Sequence, residues 1–227
     1  MRKVRYEEMT FVEAQAALVE RPLVYVPIGS LEFHGCHLPL GLDTLHAYRF
    51  CLAAAQRTAG VVLPPTFWGT RGHEKYEGSV LLEDATIATL MRNVLERLGG
   101  LGYRLIVVTT GHYPQVQGAL LKRVADEYMA TPSAARVLVL DPFTCQPMTP
   151  QVDHGGRIET SLMLHLHPEL VDMARLRTQP NPFRGVKPDC VEGTAEEGRE
   201  RFQAALDSFV QAVEKELAST AGRENRS

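Results

Sequence analysis

Cysteine is scarce and unpaired in this sequence: only Cys36, Cys51, Cys145 and Cys190 occur among 227 residues, and no two share a C-x-x-C spacing. That argues against a zinc knuckle and a disulfide framework and reads as free thiols. Cys36, between Gly35 and His37, is a nucleophile candidate to which the sequence assigns no base. Also missing is any apolar run near the roughly 18 residues that a membrane span needs. Met1-Arg2-Lys3-Val4-Arg5 leads into acidic residues instead of an apolar signal segment, so a soluble, cytoplasmic protein with no membrane partner is expected. Neither sign of charge forms a block: 24 basic against 27 acidic residues leave a net charge of −3, which argues against a nucleic-acid partner. Internal repeats and low-complexity tracts are absent, and Trp68 is the single tryptophan.

What is present is enough apolar chain for a substantial core, 44% of the residues, with no stretch polar enough to be a linker. One domain over residues 1–220 is expected, with 221–227 as a frayed tail. Short, continuous, β-branched runs at Leu23 to Ile28, Val61 to Leu63, Leu105 to Thr110 and Val137 to Leu140 read as strands covered on both faces. Between and after them, helical spacing covers Phe11 to Val19, Thr44 to Ala59, Ala85 to Leu98, Gln115 to Met129, Ile158 to Leu166 and about Thr194 to Leu217. Asp43 and Asp84 suit helix caps, Pro114 a first turn, and Gly60 and Gly99-Gly100 helix ends. The alternation predicts an α/β layered fold with a mostly parallel sheet, whose ligands gather in the loops after the carboxyl ends of strands.

Those loops hold the chemistry. The first strand runs into Gly29-Ser30-Leu31-Glu32-Phe33-His34-Gly35-Cys36-His37-Leu38-Pro39-Leu40-Gly41-Leu42-Asp43-Thr44. Glu32 and His34 are two apart, and Gly35, Pro39 and Gly41 let the chain bring Asp43 back towards them. Two carboxylates and an imidazole suit Zn²⁺, Mn²⁺ or Fe²⁺ better than Ca²⁺ or a structural zinc site. Taken singly, Glu32 suits a solvated loop, His34 a turn and Asp43 a cap; together at a strand end they point to a metal. The third strand ends in Gly111-His112-Tyr113-Pro114, which sets a further imidazole at a neighbouring strand end. Asp153-His154-Gly155-Gly156-Arg157-Ile158-Glu159-Thr160-Ser161 opens a helix with Glu159 in its first turn, where the helix dipole favours a carboxylate with or without a metal. The glycine pair lets His154 and Glu159 approach each other or a ligand, whereas His165 and His167 read as structural.

The segments Pro27 to Gly35, His37 to Leu40, Asp43-Thr44, His73 to Ser79, Gly111-His112 and Gly155-Gly156 through Glu159-Thr160-Ser161 to Pro168 together resemble the creatininase (creatinine amidohydrolase) family, in the family's order over about residues 22–175. The resemblance implies a three-layer α/β/α fold, a homo-oligomer that is commonly a hexamer, and two divalent metal ions per subunit. By position, Glu32, His34, Asp43 and His112 look like metal ligands, with Asp43 bridging, and His154 like the proton donor. Tyr76, Glu77 and Ser79 fall in the family's substrate-side loop. Two positions depart from creatininase itself. Pro114 stands where that enzyme has a ligating Glu; the resemblance to family members that lack that Glu and use the Glu of the Glu-Thr-Ser motif implies Glu159 as the fifth ligand. Creatininase encloses its flat substrate with tryptophans, whereas the single Trp68 here lies outside the matching segments.

The activity so implied is hydrolysis of a C–N amide bond in a small cyclic amide or formamide. Two cations about 3.5–4 Å apart acidify a shared water, and His154 gives a proton to the leaving nitrogen. A peptide carboxyl terminus, a keto-sugar, and a non-catalytic binding protein that lost its second metal remain as alternatives.

Overall fold

The computed structural model describes residues 2–72, 75–112, 115–132, 135–142 and 153–224. His73, Pro114, Cys145 and residues 225–227, all singled out in the sequence, lie outside the described residues.

After α1 (Phe11–Glu20), four strands and three helices alternate: β1 (Leu23–Ile28), α2 (Leu42–Thr58), β2 (Val61–Val62), α3 (Asp84–Leu101), β3 (Leu105–Thr110), α4 (Gln115–Met129) and β4 (Arg136–Leu140). Then come α5 (Arg157–Leu166), the short α6 (Arg175–Thr178) and the long α7 (Ala195–Glu224). Every strand pair is parallel, in the order β2-β1-β3-β4, with Leu23 opposite Leu105 and Ile28 opposite Thr110.

Strand periodicity makes the layers. Val24, Val26 and Ile28 of β1 and Ile106 and Val108 of β3 face α3 and α4, while Leu23, Tyr25, Leu105 and Val107 face α2 and α7. Apolar residues on both faces explain why the strands are continuous hydrophobic runs, all six residues of β1 and of β3 being buried. The result is the expected three-layer α/β/α arrangement. Among the described residues no helix is long and apolar enough to cross a membrane.

Several boundaries differ from expectation, each for a local reason. Gly41 takes the cap position of α2, so Asp43 sits inside the first turn with its carboxylate released from capping. Asp84 likewise is the first helical residue, after Glu83. Helix α2 ends on Ala59, at φ 61°, one residue before the expected Gly60. Helix α3 runs through Gly99-Gly100 and stops at Gly102, at φ 103°. A side chain at position 99 would collide with the Tyr128 hydroxyl, which accepts a hydrogen bond from the Ala135 amide at 3.1 Å. Gly99 thus serves helix packing. Helix α7 continues to Glu224, past Leu217 and into the expected tail.

The chain leaves β1 through α2 to β2 on one side, then crosses back to β3 on the other. The carboxyl ends of β1 and β3 therefore flank the point where strand order reverses, where open α/β sheets form their ligand crevice.

Candidate metal centre

Three stretches meet at that crevice. Glu32 and His34 follow β1, His112 follows β3, and Asp43 comes from the first turn of α2. Gly29 and Gly111 make the meeting possible: a Cβ on Gly29 would strike the Thr44 backbone, and one on Gly111 the Asp43 carbonyl. With no side chain there, α2 seats its first turn directly on both strand ends. Helix α5 brings Glu159, and Glu32, His34, Asp43, His112 and Glu159 are all at most 3% exposed.

Each imidazole is oriented by a backbone carbonyl. His34 donates from Nδ1 to the Glu32 carbonyl at 3.0 Å, which leaves Nε2 facing Asp43 Oδ1 at 3.1 Å and Glu159 Oε2 at 3.8 Å. His112 donates from Nε2 to the Thr70 carbonyl at 3.1 Å, which leaves Nδ1 facing Asp43 Oδ2 at 2.9 Å and Glu32 Oε2 at 3.1 Å. Pinning one ring nitrogen on a carbonyl so that the other presents to a cation is the usual arrangement of a ligating histidine. Ligand atoms of Glu32, Asp43 and His112 lie within 4.8 Å of one another, as do those of His34, Asp43 and Glu159 and those of Glu32, His34 and His154. Asp43, through its two oxygens, faces both histidines.

The electrostatics describe a site short of positive charge. Burial opposes the imidazolium of His34, but Asp43 and Glu159 outweigh it and hold its pKa at about 10. His112 is raised to about 10 against burial by its hydrogen bonds to Asp43 and Glu32. Burial pushes Glu159 up to about 8, with Asp153 and Asp43 adding to the push and His34 and the Gly155 amide opposing it. Burial also resists ionisation of Glu32 and Asp43, yet the histidines bring both below the usual carboxylate range. Glu159 and the two imidazoles thus hold protons at neutral pH beside the ionised Glu32 and Asp43. Their O/N donor set fits a divalent transition metal.

The His154 ring lies 4.5 Å from that of His34, tilted by 37°, and donates from Nε2 to the Phe33 carbonyl at 2.7 Å. The Gly155 amide donates to Glu159 Oε2 at 2.6 Å. Tyr76, Glu77 and Ser79 are placed at the outside of the Glu32 to His34 segment. Tyr76 stacks on Phe33 at 4.9 Å, Ser79 Oγ accepts from the Phe33 amide at 3.1 Å, and Glu77 pairs with Arg184 at 3.1 Å. Cys36 is half-buried, with its thiol 3.9 Å from the Pro182 carbonyl; Cys51 and Cys190 are buried free thiols. Trp68 is exposed.

The structure adds residues to which the sequence assigns no role. Ser30, fully buried, donates to Asp43 Oδ2 at 2.5 Å and lies 3.1 Å from His112 Nδ1. Asp153 accepts the Ile158 and Glu159 amides at 2.7 and 3.1 Å and so caps the helix that carries Glu159. An aspartate ahead of a helical run is a legible capping signal. Gln117 accepts the Thr70 amide at 2.8 Å and donates to Thr110 Oγ1 at 3.0 Å, which fixes the loop that holds His112. Nothing local in the sequence marks Gln117 for this. His37 Nε2 and Thr160 Oγ1 share a 2.9 Å hydrogen bond, tying the loop after β1 to α5.

Residues 7–213 match the profile of the Creatininase family, described as creatinine amidohydrolase. The chain is 27% identical over 241 aligned residues to creatinine amidohydrolase of Pseudomonas putida, covering 91% of this chain and 93% of the relative. It is 29% identical over 224 residues to the mycofactocin precursor peptide peptidase of Mycobacterium tuberculosis, covering 85% and 84%. Solved creatininase structures share the fold: a mutant of zinc–zinc type has a TM-score of 0.83 at 23% identity, over 96% of this chain and 99% of the other. A manganese form has a TM-score of 0.83 at 22% identity, over 95% and 99%. With a profile match across most of its length and these relatives aligned nearly end to end, the chain belongs to the creatininase family.

Proposed function

We propose that this chain is a metal-dependent amidohydrolase that cleaves a C–N amide bond of a small cyclic amide or formamide. The observation that carries the reading is the pair of carbonyl-pinned imidazoles whose remaining nitrogens face shared carboxylates. Glu32, His34, Asp43, His112 and Glu159 would hold two divalent ions, Zn²⁺, Mn²⁺ or Fe²⁺, and Asp43, whose two oxygens face both histidines, is the candidate for a shared ligand. When bound, such ions act as Lewis acids that make a water nucleophilic near neutral pH. Glu159, in one group with His34 and Asp43, supports its reading as the carboxylate that replaces the one missing at Pro114.

The chain's own residues do the rest. Ser30 orients the Asp43 carboxylate, and Asp153 and the Gly155 amide orient Glu159. His154, with Nε2 held by Phe33, delivers a proton from Nδ1 to the departing nitrogen. General-acid help of this kind contributes about 10²–10⁴ in rate. Tyr76, Glu77 and Ser79 position substrate indirectly, through the segment between Glu32 and His34.

The test is metal analysis of reconstituted protein together with a turnover screen of cyclic amides, formamides, short peptides and keto-sugars. About two ions per chain and cleavage of a cyclic amide or formamide are expected. Asp43→Ala should abolish turnover with its circular dichroism unchanged; retained activity would overturn the bridging role. A second reading, trimming of a peptide, draws support from the likeness to the M. tuberculosis peptidase and predicts cleavage of the peptides alone. A folded chain that takes up no metal on reconstitution would instead be a binding protein.

A further inference from the structure

Away from the carboxylate cluster, a cavity of about 460 Å³ opens between the N-terminal segment, α2, the end of α5 and α7. Its volume lies within the range of small-molecule sites. Leu52, Ala53, Leu166 and Phe202 give it an apolar floor, and Arg2, Lys3, Arg5 and Arg49 give it a cationic rim against the single carboxylate of Glu8.

The rim charges are not equivalent. Arg2 is bonded to Glu20 at 2.6 and 2.7 Å, Lys3 is paired with Glu13 at 2.9 Å, and Arg5 lies 3.8 Å from Glu8. Arg49 makes no hydrogen bond or ion pair among the described residues. Glu169, whose charge it feels, is already bonded to His167 at 3.1 Å. Beside Arg49 stands His165, its ring 5.8 Å from Phe202. Burial, with Arg199 and Arg49, lowers the pKa of His165, so at neutral pH it offers an uncharged hydrogen-bonding ring. An unanswered guanidinium with a planar fork of donors suits a carboxylate or phosphate, and the floor suits an apolar body attached to it.

We propose that this cavity is a binding site for a small anion, a carboxylate or phosphate group carried on an apolar or aromatic body, held by Arg49 and His165 over Phe202. It shares helices with the metal centre but no residue. Arg49 follows Asp43 on α2, and His165 follows Glu159 on α5, each by six residues, about 9 Å along a helix axis.

Calorimetric titration of the full chain with phenyl phosphate, benzoate and inorganic phosphate tests this. Phenyl phosphate or benzoate should bind saturably at one per chain, with inorganic phosphate at least tenfold weaker. Arg49→Gln, at an exposed position, should weaken the aromatic anion at least tenfold. Metal-stripped protein and Asp43→Ala should bind it unchanged, which separates this site from the metal centre and from the proposed hydrolysis. Three outcomes would overturn the proposal: no saturable binding, binding indifferent to Arg49→Gln, or binding lost with the metal. So would dissociation of an assembly by Arg49→Gln in light scattering, which would make the cavity a contact with a second copy.

Discussion

Two imidazoles that titrate at about 10 and a carboxyl at about 8 lie within a few ångströms of each other, so His34, His112 and Glu159 all carry protons at pH 7 in the absence of an ion. Ligation requires each to give its proton up. Metal uptake at pH 7 should therefore release up to three protons per chain, read by calorimetry in buffers of different ionisation enthalpy. Release of none would mean that these side chains are not the ligands. Glu32, His34, Asp43 and His112 were legible as candidates because ligating residue types cluster after apolar strands. Glu159 was legible only with a dipole role beside it, and Gln117 not at all, since its importance comes from a loop 47 residues earlier in the chain.

Helix α3 shows how an element's limits can be set by its neighbour. Gly99 and Gly100 read together as a stop, yet both are helical, and they differ in surroundings: Gly99 abuts the Tyr128 hydroxyl, while nothing lies within 4 Å of a Cβ on Gly100. Gly100→Ala should raise stability by about 0.5–1 kcal/mol through helix propensity. Gly99→Ala should lower it by about 1–3 kcal/mol through overpacking against α4. Urea midpoints of the two variants check this; equal shifts would remove the packing account. The same logic governs α2, where Gly41 caps and Asp43 is left for the site. Sequence spacing placed the helix to within two residues and left Asp43 with two readings, a cap and a site carboxylate; the structure gives the cap position to Gly41.

Across the molecule, buried histidines couple stability to acidity. His46, 1% exposed and edge-on to Phe50 at 4.9 Å, has its pKa lowered to about 4, by burial first, with Asp43 opposing. The unfolded chain takes up this proton near the ordinary value of about 6.5. Between those two values the unfolded state binds more protons, so stability is full above about 6.5 and falls as pH drops towards 4, by up to about 3 kcal/mol. His46→Leu should flatten that part of the pH profile of urea midpoints relative to the parent chain; an unchanged slope would assign the loss to other groups. The sequence by itself determined the alternation of strands and helices, the two-sided burial of the sheet and the supply of oxygen and nitrogen donors at strand ends, because each is written in spacing within some ten residues. Only the tertiary structure decided which carboxylates meet, which nitrogen each imidazole presents, and where Asp43 points. Those depend on β1 and β3 lying side by side in one register and on α2 seating against Gly29 and Gly111, contacts between residues far apart along the chain.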